Sequence, residues 1–184
     1  DGKLTPIGRF LCGGCLTERS AGTRGHLYYE VDGSDTSGPL RIVLAGCVDE
    51  HADLEAVRAR IGDAGVTLDL AGIDAMNSAG ISRWISFLER LTRTPGRRVT
   101  LTRCSFDGFV MHAAMIANMG AGAAVESILA PYACECDEEL RLVTGWTELD
   151  EERMCPECEH VFELDVSSDL FVPIFGPRSS VAQR

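Results

Sequence analysis

The chain has 184 residues, enough for one domain with a small appendage, and 45% are hydrophobic against 24% charged, which excludes disordered and fibrous classes. Its 28 acids and 17 Lys and Arg residues leave a net charge of −11, the opposite of the basic footprint that a nucleic-acid partner requires. No apolar run approaches bilayer length, and Asp1 is not followed by a basic leader with an apolar core. The expectation is a cytoplasmic chain with no direct membrane insertion.

Residues 1–25 are rich in Gly, Ser and Thr and read as an irregular segment. Leu27–Val31 is a candidate strand, and Asp32–Pro39 is turn chemistry throughout. Leu40–Ala45 is a short apolar strand. Asp49 then offers a helix N-cap, Leu54, Val57 and Ile61 fall at helical spacing, and Gly62 to Gly65 stops the helix. Val66, Leu68 and Leu70 alternate with Thr67 and Asp69 as a strand, and Ala71–Asn77 reads as a turn. A second helix opens at Ser78, with Ile81, Trp84, Ile85, Leu88 and Leu91 on one face and Pro95-Gly96 as its stop. This spacing assigns Trp84 to the core. Val99 and Leu101 alternate with Thr100 and Thr102 as another strand. Phe106–Met119 reads as a third helix with Met111, Met115 and Met119 on its buried face; His112 beside them has no evident role.

Strands alternating with helices imply crossover connections and a mixed, mostly parallel α/β sheet, with the strands at Leu27 and Leu40 as an antiparallel edge. From Ile128 the character changes to cysteine pairs, acidic clusters and short alternating runs, the marks of a small β-rich part. The expected division is a main domain over 26–130, the appendage over 131–175 and a tail over 176–184.

Ile42–Gly46 (IVLAG) with Asp49, the LDL of Val66–Leu70, and Asp74–Ile81 (DAMNSAGI) form an ordered set over roughly 27–130. In that order and spacing the chain resembles the STAS domain family, typified by anti-sigma factor antagonists. The resemblance implies a STAS-like fold and a serine phosphorylated by an anti-sigma factor that is also a kinase-like ATPase. That serine maps onto Ser78, within a partner-binding surface of Asp49, Asn77, Ser78, Ala79 and Gly80. Asn77 is a departure, because the family usually carries Asp before the serine.

The physics of the position is consistent with that role. A serine at a helix start lies among unpaired N–H groups at the positive end of the helix dipole, which favours an anion. A phosphate there adds a charge of about −1.5 to −2 to the surface a partner covers. Ala79 and Gly80 are small enough for a partner backbone to approach. The same serine also reads as a simple N-cap, worth about 1 kcal/mol.

Eight cysteines fall as Cys12-x-x-Cys15, the singletons Cys47 and Cys104, Cys134-x-Cys136 and Cys155-x-x-Cys158. Cys47 and Cys104 lie in apolar or strand-like runs and read as buried, inert thiols. The last two pairs, eighteen residues apart, approximate the knuckles of a zinc ribbon, where four thiolates hold a structural Zn²⁺ and let a part too small for its own core fold. His160 and the Cys12/Cys15 pair are the substitute ligands for the weaker first knuckle.

Between Glu135 and Asp169 thirteen acids face two bases, Arg141 and Arg153, so a basic protein surface suits this part better than phosphate. The four histidines form no spaced pair, no Gly-rich loop follows a strand, and no serine sits in a nucleophile elbow. The expectation is therefore a non-enzymatic regulatory protein-binding module, active in signal transduction and transcription regulation. The alternative is a STAS-like subunit of a transport or other assembly that works without phosphorylation.

Overall fold

Alternation of apolar and polar residues organises the chain into two sheets over a shared core. A computed structural model describes residues 27–32, 39–62, 65–112 and 122–176. Strands β1 (Tyr28–Asp32), β2 (Leu40–Val48), β3 (Val66–Met76), β4 (Val99–Thr102) and β5 (Ala123–Val125) form a sheet in that spatial order. β1 is antiparallel to β2 and the remaining pairs are parallel. The expected mixed, mostly parallel sheet with its antiparallel edge is what the chain forms.

Helices α1 (Leu54–Arg58) and α2 (Ser78–Thr92) make the crossovers before and after β3. Ile42, Leu68 and Leu101 lie side by side in register and are fully buried. Trp84, Leu88 and Leu91 of α2 are buried in the same core, each burial worth about 1.5–3 kcal/mol. Trp84 meets Phe109 edge-on at 6.3 Å, which fulfils its expected core role. Thr67 and Asp69 of β3 and Thr100 and Thr102 of β4 alternate with these apolar positions. Among them Asp69 is fully buried, with Oδ2 accepting from Arg41 Nη2 at 2.6 Å and Arg103 Nε at 2.9 Å. A carboxylate so enclosed persists because its charge is paired and hydrogen-bonded.

The structure corrects several local expectations. Asp49 does not cap α1; its Oδ1 accepts from His51 N–H at 2.8 Å, and Asp53 is the N-cap, accepting from Ala56 N–H at 2.9 Å. The helix ends at Arg58, before the glycines. Residues 71–76 are not a turn but the second half of β3, held by β2 across register shifts at Val43/Ala45 and Gly46/Cys47. Gly46 permits this with φ 95°, a conformation that L side chains rarely adopt. Phe106–Phe109 is a turn leading into a 3-10 turn at Val110–His112, and Met111 is exposed; Met115 and Met119 lie outside the described residues.

The second sheet has the order β7-β6-β8, with β6 (Ile128–Ala133), β7 (Glu138–Val143) and β8 (Glu163–Leu164) antiparallel. Short helices α3 (Trp146–Leu149) and α4 (Val172–Phe175) flank it. The sheets part between Val125 and Ile128, so the expected boundary at 130/131 cuts through β6. They are not independently cored: Ile128, Tyr132, Phe162 and Phe171 join the cluster that holds Leu68 and Trp84. Cys104 stitches the junction, its N–H donating to Ser127 O at 3.0 Å and its carbonyl accepting from Leu129 N–H at 2.9 Å. No helix among the described residues is long and apolar enough to cross a membrane.

Candidate functional site

Two places concentrate chemistry. The first is the mouth of α2, which follows β3 through one extended residue, Asn77 (φ −95°, ψ 172°). Asn77, not Ser78, is the N-cap: its Oδ1 accepts from Gly80 N–H at 2.8 Å, and its carbonyl accepts from Ile81 N–H at 2.8 Å. Ser78 is therefore the first helical residue, and it is exposed together with Asn77 and Ala79. With Gly80 and Ile81 supplied by Asn77, the N–H groups of Ser78 and Ala79 have no intrahelical acceptor. The first turn carries no acidic side chain.

Glu50 is a participant that sequence reasoning missed. Asn77 Nδ2 donates to Glu50 Oε2 at 2.8 Å, and this bond is the main reason the Glu50 carboxyl lies below its ordinary value. An aspartate at residue 77 could cap the helix but could not donate to Glu50. Asn77 therefore supplies both the cap and this donor, a pairing visible only once the loop after β2 folds back on α2. Asp49 is half-buried in that loop.

Gly80 corrects another expectation. It is buried, and a Cβ there would lie 1.8 Å from Val48 O and 2.4 Å from Val48 C. Its small size serves the close seating of α2 on the end of β2, not the approach of a partner. Ser78, Ser82 and Ser86 run along one exposed line of α2, the hydroxyls of Ser82 and Ser86 each donating to the carbonyl four residues back at 3.1 Å. Beside them an open cleft between α1 and α2 is lined by Ala52, Glu55, Ser82, Arg83 and Arg90.

The second place is the cysteine quartet. The turn joining β6 and β7 carries Cys134 and Cys136, and the loop between Met154 and Val161, which pair across an antiparallel bridge, carries Cys155 and Cys158. In the second loop Glu159 takes φ 58°, and Cys155 N–H donates to His160 O at 2.8 Å. The four Sγ atoms lie within 4.8 Å of one another. Recorded separations are 3.8 Å for Cys134–Cys136, 3.6 Å for Cys136–Cys155 and 3.7 Å for Cys134–Cys158. These are too long for disulfides, and all four are free thiols.

The quartet can hold a metal ion from its own four donors. The His160 N–H and imidazole lower the Cys158 thiol to about 6, while hydrogen bonding to Cys158 pushes Cys136 up and burial pushes Cys134 up. A bond to Cys158, then the charge of Glu135, raises His160. His160 is thus a neighbour to a ligand sulfur and not a member of the quartet. Cys12 and Cys15 lie outside the described residues. Cys104 is fully buried and its thiol is pushed far up by that burial, as an inert thiol requires; Cys47 is half-buried.

Comparison with known proteins gave no match: no family model fits the chain, and no curated protein or solved structure is significantly similar to it.

Proposed function

We propose that the chain is a non-enzymatic regulatory binding module of STAS type, switched by phosphorylation of Ser78, with an anti-sigma-factor-like kinase ATPase as the class of partner. The observation that carries this reading is the placement of Ser78 as an exposed first residue of a fifteen-residue helix, where the N–H groups of Ser78 and Ala79 have no intrahelical acceptor. A phosphoryl group there is favoured by the helix end. It opposes a partner by repulsion and by the cost of desolvating a dianion, with little refolding.

Affinity capture with wild type, Ser78→Ala and Ser78→Asp tests the switch. Ser78→Asp should lose a partner that Ser78→Ala retains; equal capture by both removes it. The bridge from Asn77 to Glu50 favours a second reading. A carboxylate held beside the helix mouth opposes a phosphate, which suits a STAS-like subunit of a transport or other assembly that needs no phosphorylation.

The same account assigns the quartet a structural Zn²⁺ held by Cys134, Cys136, Cys155 and Cys158. A regular tetrahedron with Zn–S bonds of about 2.3 Å has edges of about 3.8 Å. Three of the six sulfur–sulfur separations, at 3.6–3.8 Å, match those edges, and all six lie within 4.8 Å. Four protein thiolates leave no open position, so such an ion staples two hairpins and offers no site to a substrate.

A further inference from the structure

We propose that the outer face of the small sheet is a second docking surface, one that takes an extended basic segment of another protein as a strand beside β7. The inference is independent of Ser78.

Among the described residues β7 is an edge strand, and its side chains alternate between two surroundings. Val143 enters the core, and Arg141 lies over the Tyr132 ring at 4.1 Å. Leu140 and Leu142 point the other way and remain 53% and 52% exposed. Across the ladder Leu140 faces half-buried Pro131 and Leu142 faces Leu129, which is buried, so the exposed apolar surface is the pair of leucines on β7. Glu138 and Glu163, both opposite Ala133, close one end of it. Edge strands are ordinarily guarded by charged side chains against unwanted pairing; on its outward face this one has a single charge, Glu138, followed by two exposed leucines.

Charge selects the occupant. Thirteen acids lie between Glu135 and Asp169, and the two bases among them, Arg141 and Arg153, both pair with Glu139. A second copy of the chain would bring two such surfaces within a Debye length of about 8 Å, where repulsion is poorly screened. A segment with apolar residues alternating with Lys or Arg satisfies both features: main-chain bonds along β7, apolar side chains over Leu140 and Leu142, and cations toward the acids.

The test uses the full chain with its metal and three eight-residue peptides: alternating lysine and valine, alternating glutamate and valine, and alternating lysine and serine. Binding is followed by chemical-shift mapping of wild type and of the exposed double variant Leu140→Ser/Leu142→Ser, whose fold is checked by circular dichroism and metal content. The lysine–valine peptide should perturb β7, bind at least tenfold tighter than either control, and lose at least tenfold in the variant. Equal binding of the lysine–serine peptide, or perturbations away from β7, would overturn the inference. So would a wild-type dimer abolished by the variant, or nuclear Overhauser contacts from residues 1–26 to the Leu140 and Leu142 methyls in the free chain.

Discussion

Gly80→Ala separates packing from helix propensity by the sign of its effect. Propensity alone favours alanine by about 1 kcal/mol within a helix. The structure opposes it: the new Cβ would stand 1.8 Å from Val48 O, against a limit near 3.0 Å for real contacts, and its obstacles are backbone atoms that cannot rotate aside. The first turn of α2 must therefore lift by about 1 Å. Overpacking of this kind costs about 1–3 kcal/mol, and the bond from Asn77 N–H to Val48 O at 3.3 Å is worth about 1 kcal/mol more. Net of propensity, the variant should lose about 1–3 kcal/mol, which lowers a urea midpoint by about 0.5–1.5 M. Ala79→Gly, exposed in the same turn, should cost no more than about 1 kcal/mol. A Gly80→Ala variant as stable as wild type, or more so, would refute the seating of α2 on β2.

Two further outcomes can be checked. Asn77 holds Glu50 below its ordinary 4.5, so the bridge contributes stability above that value and loses it as pH falls through the lowered one. Asn77→Asp removes the donor and sets a second carboxylate beside Glu50, so the Glu50 titration should move upward; an unmoved NMR titration would contradict the bridge. Elemental analysis of protein purified under reducing conditions should find about one zinc per chain, lost in Cys136→Ser and kept in Cys12→Ser/Cys15→Ser. Chelation should loosen the two cysteine-bearing hairpins and lower the melting temperature of the whole chain, because Cys155 and Phe162 share the core of the large sheet. Metal-free wild type would end the zinc assignment.

Much of the scaffold was readable from periodicity. The face Ile81, Trp84, Leu88 and Leu91 needs only helical spacing and its stop at Pro95-Gly96, and it is buried as that spacing requires. The cysteine pairs were readable because ligand spacing is a local property, and their convergence brings together the four expected residues. What could not be read depends on distant pairing. Residues 71–76 lack a strong strand pattern and become strand because β2 accepts them across a bulge. Asp69 looks like the polar partner in an alternating strand, and only Arg41 and Arg103, far away in the chain, let it be buried. Asp49 and Asp53 are equally good caps by type; the loop that lets Glu50 reach Asn77 leaves the capping to Asp53. Gly80 was read as room for a visitor, when β2 already fills that room.

Intact-mass and phosphopeptide analysis of the chain isolated from its native cells across growth states tests the central claim most directly. The account expects a fraction of molecules to carry one added phosphoryl group, mapped to Ser78 and absent from Ser78→Ala. A chain that is unmodified at Ser78 in every growth state would contradict it.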